Sequence, residues 1–577
     1  MRIKDRTINK EVYDTCIEHA YPEIVARIIA GRTDTFDKNI FQFTLDAIKP
    51  ADIMVDCTKA AKRIVEAIYK HETILFFTDY DVDGCTSMAI MYETLHHIFG
   101  VPNSKIIRLT GNRTVDGYGL TDTIADKIIN FKPTIVITAD AGASDGQRIK
   151  RLADAGIDVI VTDHHIVPKE GVPEAAFAVV NPKREQCQYD DNIAGCGVVW
   201  LLMTAISREM NCNIEQKRKI HQLLDLVALG TVADLVPLNS VVNRYFVKKG
   251  LEFMNRKVRP CWQVALNGRA ADTGYLAFQL APRINASSRM SCEAITSIDF
   301  LTHTNHEDIA QAYRQLDIFN TQRQKIEKEM FNAAKASIFI NSTDVAISEP
   351  ILIYYSKNNH PGVQGIVAGK LTENFGIPVV MLADIGNGVV TGSGRAGQFL
   401  HIRDALQTFD DRFSGILIAY GGHKAAAGFK LHKDNIWLFK EEFSKIVAEQ
   451  LKTKDTTPYI NTDGSLKGVA HLQNQINLET YYNIEALRPF GMGFPAPLFY
   501  DKMVATDVKV IGKNPIHLSM SLDGVRAAFF NALSKPGAAL PINSGEIVDV
   551  IYTLNLNSWQ GRERLEIIIK KIESCES

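Results

Sequence analysis

The chain has 577 residues, with 46% hydrophobic and 23% charged, and 64 Lys and Arg against 66 Asp and Glu for a net charge of −2. This composition excludes a disordered chain, a coiled-coil rod and a small disulfide scaffold, and the length predicts about three or four domains. A nearly neutral balance gives no overall attraction for a polyanion, so any nucleic acid has to be held by local basic grooves.

Residues 1–45 read as a helical N-terminal extension without the apolar stretch of a signal peptide. Residues 46–304 alternate short apolar runs with helical segments. The runs are Thr73–Thr78, Lys105–Thr110, Thr134–Thr138, Asp158–Thr162 and Phe177–Val180, with helices such as Ser87–Phe99 and Leu120–Asn130 between them. Near-continuous apolar strands separated by helices predict a parallel sheet covered on both faces. In 305–345, Ile309, Tyr313, Leu316, Phe319, Ile326 and Met330 recur near helical spacing without Gly or Pro. They predict a connector helix of roughly 50 Å at about 1.5 Å per residue. A second, smaller α/β pattern fills 346–452. After a polar linker, 459–577 carries five strand-like runs, which suggest a small barrel of the OB type. The fold class expected is therefore α/β, two sheet domains joined by a long helix, followed by a β-barrel.

No two of the nine cysteines form a C-x2-C pair, which argues against a zinc ribbon and fits reduced thiols in the cytoplasm. No run is long and apolar enough to predict a membrane span.

The chemistry is expected where the strands of the first sheet end. Asp79-Tyr-Asp81-Val-Asp83-Gly84 follows the first apolar run, Asp140 the third, and Asp163-His164-His165 the fourth. C-terminal strand ends of a parallel sheet share one edge, and ligands bind there. Carboxylates crowded at one edge repel one another, and divalent cations relieve that repulsion. Carboxylate-rich ligation suits Mg²⁺ or Mn²⁺, and two ions about 3.5–4 Å apart suit phosphoryl displacement. One D-x-D or one His-His is weak evidence, since such loops often cap helices. Three such motifs at successive strand ends are a strong signal.

These motifs, with Ala228-Leu-Gly-Thr-Val-Ala-Asp-Leu-Val-Pro-Leu238 and Gly421-Gly-His423, resemble the DHH phosphoesterases. Gly117-Tyr-Gly119, Ala281-Pro-Arg-Ile-Asn-Ala286, Val363–Lys370, Gly392-Ser-Gly-Arg395 and Pro489-Phe-Gly-Met-Gly493 narrow the resemblance to the RecJ-type exonucleases, built of DHH and DHHA1 domains. The resemblance spans about residues 45–500. It implies a two-metal 5′→3′ exonuclease of single-stranded DNA, releasing 5′-mononucleotides in DNA repair and recombination. Asp81, Asp83, Asp140, His164 and Asp234 match metal ligands for two Mn²⁺ or Mg²⁺ ions, and Asp234 enters only through the resemblance. Asp79 matches a weaker or outer ligand, and His165 a group that touches the phosphate. Phe77 stands where small-molecule members of the superfamily often place a metal-binding His, and Ser287-Ser288 replaces a more usual Ala-Gly before Arg289.

By the same resemblance, Arg113, Ser393 and Arg395 form a pocket for a terminal 5′-phosphate. Arg283, Arg289 and His423 contact phosphates near the metals. Tyr118, between two glycines, is the favoured stacking aromatic; in the barrel Phe529, Phe530, Tyr552 and Trp559 are available but read mainly as core. The partners implied are single-stranded DNA and, by family alone, a single-strand-binding protein; the chain is expected to be a monomer. Two other readings compete. One is a phosphodiesterase of short oligonucleotides or cyclic dinucleotides, disfavoured by the extra barrel. The other is a metal-free replisome scaffold, disfavoured by the retained carboxylates and imidazoles.

Overall fold

The computed structural model describes residues 2–113, 116–291, 294–340, 350–452, 458–468, 475–512, 515–533, 542–559 and 562–575. The chain forms two compact units. The larger comprises Lys49–Asp234 and Lys249–Pro458, the smaller Met1–Ile48, Leu235–Lys248 and Tyr459–Ser577.

In the larger unit, β1 (Ile74–Thr78), β2 (Ile106–Thr110), β3 (Ile135–Ala139), β4 (Asp158–Thr162) and β5 (Ala178–Val180) form a parallel sheet in the order β2-β1-β3-β4-β5. All five residues of β1 and of β3 are buried, as expected of strands covered on both faces. One face packs Leu75, Phe77, Val136 and Val161 against Ile124, Ile128, Ile149 and Leu152. Phe77 thus points into the apolar core. The helices α1 (Val82–Tyr92), α2 (Gly195–Glu209) and α3 (Leu224–Ala233) pack against one another, and α1 also packs on β1. The helix read as Ser87–Phe99 begins at Val82, because Asp81 caps it, and its last turn, Glu93–Ile98, is a π-turn.

α4 (Ala281–Met290) packs on α5 (His306–Ile340), the long helix. Residues 341–345 of the expected connector lie outside the described residues. α6 (Gln364–Phe375) joins α5 to a second sheet through Met330, Ala334, Val363, Val367, Leu371 and Met381. That sheet contains β6 (Leu352–Tyr355), β7 (Val379–Asp384), β8 (Val389–Arg395), β9 (Leu417–Gly422) and β10 (Ala426–His432), in the order β9-β10-β8-β7-β6. Only β6 and β7 pair in parallel; the rest of the sheet is antiparallel. The strands expected from sequence in this part are 351–355, 378–382, 388–391 and 416–419, which leaves β10 unexpected. Its inner positions Ala427, Phe429 and Leu431 are buried and its outer ones Gly428, Lys430 and His432 exposed, a one-sided strand rather than an apolar run.

The smaller unit is assembled from three distant segments. Arg2–Asp5 pairs in parallel with Tyr459–Thr462. Arg32 forks onto Asp463 with bonds of 2.7 and 2.9 Å, both groups buried. Arg244 is fully buried, donates to the carbonyls of Ile40, Leu238, Leu487 and Pro489, and lies 4.1 Å from the Phe494 ring centre. These buried cations tie 1–48 and 235–248 to the C-terminal part. The first is therefore more than an appended extension, and the second is separate from the sheet unit in which 46–304 was expected to fall. β11 (Phe499–Ile511), β12 (His517–Leu522), β13 (Val525–Phe529), β14 (Ile547–Trp559) and β15 (Arg562–Ser574) close a barrel in the order β11-β12-β13-β15-β14. Tyr552 is buried there and bonds Asp501 at 2.7 Å, while Phe530 is half exposed. The side chain of Trp559 lies outside the described residues, as does Cys292; the other eight cysteines are free thiols. No helix among the described residues is long and apolar enough to cross a membrane.

Candidate metal centre and adjoining cavity

The loop after β1 turns sharply into α1. Asp81 caps that helix, its Oδ1 accepting the N–H groups of Asp83 at 2.9 Å and Gly84 at 3.1 Å. The turn requires a glycine: a Cβ at Gly84 would lie 2.1 Å from the Asp79 carbonyl oxygen. Asp79, Asp81 and Asp83 are thereby gathered at the C-terminal edge of the sheet. Asp83, 1% exposed, accepts the first two N–H groups of α2, Gly195 at 2.7 Å and Cys196 at 2.9 Å. A helix N-terminus is a natural seat for a carboxylate.

Asp140 follows β3 with a φ of +58°, a backbone conformation that non-glycine residues rarely hold without local support. Its N–H is tied to the Thr162 carbonyl of β4 at 3.1 Å. Asp163 follows β4 and organises the two histidines. Its Oδ1 accepts from the His164 N–H at 2.7 Å, the His165 N–H at 3.0 Å and His165 Nδ1 at 2.7 Å, while its Oδ2 takes the Ala143 N–H at 2.8 Å. His164 Nε2 then lies 3.1 Å from Asp140 and 3.7 Å from both Asp83 and Asp234. Asp234 arrives from the C-terminal end of α3.

Three overlapping groups of donors result: Asp140, His164 and His165; Asp83, His164 and Asp234; Asp79, Asp81 and Asp140, the donor atoms of each lying within 4.8 Å of one another. Burial, followed by repulsion from its neighbours, lifts Asp140 well above the usual carboxylate range; burial and then Asp81 do the same to Asp79. Burial also raises Asp83, and burial with the charges of Asp83 and Asp81 lifts Asp234 to about 8. A set of carboxylates that cannot all ionise beside one another, with an imidazole nitrogen among them, fits hard to borderline divalent cations. The buried His164 Nδ1 has no hydrogen-bond partner among the described residues, so no second contact fixes that ring's tautomer. At His165, burial works to lower the pKa, but the bond to Asp163 outweighs it and the ring is shifted upward.

A cavity of about 510 Å³ adjoins this edge. Tyr118 connects the two: it lines the cavity, and its hydroxyl lies 2.9 Å from His165 Nδ1 and 3.3 Å from the Asp140 carbonyl. Arg113 lines it too, its guanidinium 4.8 Å above the Tyr80 ring. Arg289, Ser393 and Arg395 line it as well. Gly365 of α6 permits a close approach there, since a Cβ would come within 2.9 Å of both Arg395 and Ser393. Burial, then the charges of Arg113 and Arg323, lowers Arg289 to about 9, and burial lowers Arg395. No carboxylate is among the described lining residues. The wall is thus built of desolvated cations facing open space, the arrangement that receives an anion.

Asp79, Asp81, Asp83, Asp140, His164, His165 and Asp234 therefore meet at one edge, and Arg113, Tyr118, Arg289, Ser393 and Arg395 meet in the cavity beside it. Arg283 and His423 are not among the cavity residues. Arg283 pairs with Asp317 of α5 at 3.0 Å and the Gln279 carbonyl at 2.7 Å; His423 is exposed in the turn between β9 and β10. Sequence reasoning left out Asp163 as an orienting group, Tyr80 as the platform for Arg113, and Gly230, whose Cβ would lie 2.9 Å from Asp83 Oδ1. The signal for Asp163 was its place at a strand end; Gly230 sits within the Ala228–Leu238 motif.

Three family models match the chain. The DHH family N-terminal domain matches residues 73–231, the DHHA1 domain 348–453 and the RecJ OB domain 470–571. The single-stranded-DNA-specific exonuclease RecJ of Haemophilus influenzae is 31% identical over 92% of this chain and 93% of its own. The crystal structure of RecJ from Thermus thermophilus in complex with Mn²⁺ superposes with a TM-score of 0.80 at 24% identity, covering 100% of this chain and 80% of that one. A crystal structure of an exonuclease RecJ bound to manganese matches at 26% identity with a TM-score of 0.59, over 70% of this chain and 98% of that one. On the extent of the first match and the order of the three domains, the chain belongs to the RecJ family.

Proposed function

We propose that the protein is a metal-dependent exonuclease that degrades single-stranded DNA from its 5′ end and releases 5′-mononucleotides. One observation carries this reading: a cluster of carboxylates and imidazoles opens onto a cavity walled by cations. The family relative named as a single-stranded-DNA-specific exonuclease, and the manganese-bound relative, support it.

Asp81, Asp83, Asp140, His164 and Asp234 would hold two Mn²⁺ or Mg²⁺ ions, with Asp79 as a weaker or outer contributor. When bound, such ions supply charge neutralisation and lower the pKa of water for attack on phosphorus. The chain's own groups do the rest. Asp163 fixes the His165 ring, and its carboxylate favours the protonated imidazole, placing positive charge where negative charge grows on the phosphate. Arg113, Ser393 and Arg395 bind the terminal phosphate, Arg289 a phosphate nearer the ions, and Tyr118 the first nucleotide. Pinning the terminal phosphate at a fixed distance from the ions selects the scissile bond by counting from the 5′ end. Arg283 is engaged by Asp317, and we assign it to holding α4 against α5. His423 is assigned to the strand as it leaves the cavity.

We take residues 46–304, apart from the 235–248 segment, as the catalytic DHH domain, 305–345 as the connector, 346–452 as the DHHA1 domain and 459–577 as the OB-like domain that holds the strand by charge and stacking. Residues 1–45 serve as its structural complement. A cytoplasmic monomer that acts in repair and recombination, recruited by a single-strand-binding protein, completes the proposal.

The test compares degradation of a long 5′-phosphorylated single strand, the matching blunt duplex, a dinucleotide and a cyclic dinucleotide, with Mn²⁺, with Mg²⁺ and with chelator. Stepwise release of mononucleotides from the single strand, abolished by chelation, is expected. Activity confined to the dinucleotides would overturn the assignment. Absence of manganese binding by calorimetry would favour a scaffold.

A further inference from the structure

Besides Arg113, Arg289 and Arg395, the cavity contains a fourth cation, Lys430. It lies on β10, directly opposite Thr391 of β8, as Gly428 lies opposite Ser393. Cross-strand partners share a face, and residues two apart on a strand share it too. Ser393, Gly428 and Gly421 therefore make one row of this surface, and Thr391, Lys430 and Ala419 the next, about 6.8 Å further along the strands at roughly 3.4 Å per residue. The burial pattern agrees, since Gly428 and Lys430 are exposed while Ala427, Phe429 and Leu431 are buried.

In the row holding Ser393, the positions on β10 and β9 are glycines, Gly428 and Gly421, and toward β7 the row continues to the buried Met381. On β9 and β10 the floor beside Ser393 is therefore bare backbone, with Gln364 also among the cavity residues. The charges point the same way. A terminal monophosphate carries about −2 at most, whereas three cations besides Arg289, namely Arg113, Arg395 and Lys430, and no carboxylate line this cavity among its described residues. The wall has room and positive charge for more than one phosphate.

We propose that Lys430, with Thr391 beside it, forms a second anion subsite that extends the terminal pocket, and that the substrates of this protein include DNA strands ending in a 5′-di- or triphosphate. The inference rests on the exonuclease reading above and adds to it the class of 5′ end accepted. The hydrolysis is unchanged: water oxygen bonds to the first internucleotide phosphorus, the bond from that phosphorus to the 3′ oxygen breaks, and the 3′ oxygen takes the proton. The released product keeps whatever stood at its 5′ end. A triphosphate end therefore yields a nucleoside 5′-triphosphate and a shortened strand with a 5′-monophosphate.

The experiment uses the full-length protein with Mn²⁺ and three 3′-labelled strands of one sequence, bearing 5′-hydroxyl, 5′-monophosphate or 5′-triphosphate. The first products are identified by mass. Release of the nucleoside triphosphate is expected, with kcat/KM within tenfold of that for the monophosphate strand. Lys430→Gln is expected to lower the triphosphate-to-monophosphate ratio of kcat/KM at least tenfold. Thr391→Val, which keeps the shape of the side chain, should lower it by a smaller factor. Equilibrium binding of the same strands in chelator reads the same ratio without turnover. The subsite is refuted if the triphosphate strand resists degradation while the monophosphate strand is consumed, or if the ratio is the same in Lys430→Gln. Failure to degrade any strand would refute the exonuclease reading instead, so the two failures are distinct.

Discussion

Replacing Gly230 by alanine tests how tightly the metal edge is packed. The residue lies inside α3, where exchanging glycine for alanine ordinarily stabilises a helix by about 0.5–1 kcal/mol. Here the added Cβ would fall 2.5 Å from Cys196 Sγ, 2.5 Å from Thr86 Oγ1 and 2.9 Å from Asp83 Oδ1. Overpacking of this kind costs about 1–3 kcal/mol. The net loss is then about 0–2.5 kcal/mol, a fall in melting temperature of less than about 10 °C at roughly 2–4 °C per kcal/mol. Function should suffer more. Restoring ordinary contact moves the Asp83 carboxylate by about 0.5 Å, and it is tied by both oxygens to the start of α2. Since misplacement by about 1 Å costs on the order of 100-fold, kcat should drop about 10-fold or more. Mononucleotide release from a 5′-phosphorylated strand, manganese calorimetry and a thermal melt are measured on the same preparation. A variant with normal turnover and normal manganese affinity would show that Gly230 is not needed to seat Asp83.

Four further outcomes are expected. Asp83→Ala should abolish cleavage while leaving strand binding largely intact, and equal loss of both in a binding titration would argue against a purely catalytic role. Arg395→Met should reduce the preference for a 5′-phosphate over a 5′-hydroxyl about tenfold in kcat/KM; an unchanged preference would place the terminal phosphate elsewhere. Arg244→Met leaves four buried carbonyls without their donor and should cost the smaller unit about 3 kcal/mol or more, at about 1–3 kcal/mol for each acceptor left unsatisfied, read by denaturant unfolding; a cost under about 1 kcal/mol would contradict the buried clamp. Burial, opposed by the bond from the Leu120 N–H and aided by the charge of Asp163, raises Asp145. A folded pKa above the unfolded one gives stability that is present in acid and lost as pH rises through the folded value. Asp145→Asn should therefore raise the melting temperature at pH 7 more than at pH 4, and an equal change at both would remove Asp145 as the source.

The parallel sheet was legible because its strands are continuous apolar runs, and each observed strand begins within one residue of its sequence-read start. The long helix was legible because its apolar residues recur near helical spacing. The mixed pairing of the second sheet was not. β10 buries only alternate residues and begins with small ones, so nothing in its composition separates it from a loop. The metal edge followed from carboxylates at strand ends, but Asp234 lies at a helix end and its approach to His164 depends on how α3 packs. Arg283 and Arg289 lie on the same helix, α4, yet only Arg289 lines the cavity, because helical rotation turns Arg283 toward Asp317. The grouping of 1–48 with 235–248 was hidden altogether, since it depends on bonds from Arg32 and Arg244 to residues hundreds of positions away.

Pairing between Arg2–Asp5 and Tyr459–Thr462 has a consequence for synthesis. Ribosomes deliver the first of these strands roughly 450 residues ahead of the second, about 20–90 s at typical elongation rates of about 5–20 residues per second. Throughout that interval the opening segment, with the apolar face of Ile24, Val25, Ile28 and Ile29, waits without its mate. Nascent chains should accordingly depend on holding chaperones, and a version severed before Tyr459 should expose a sticky amino-terminal stretch rather than leave a tidy nuclease core.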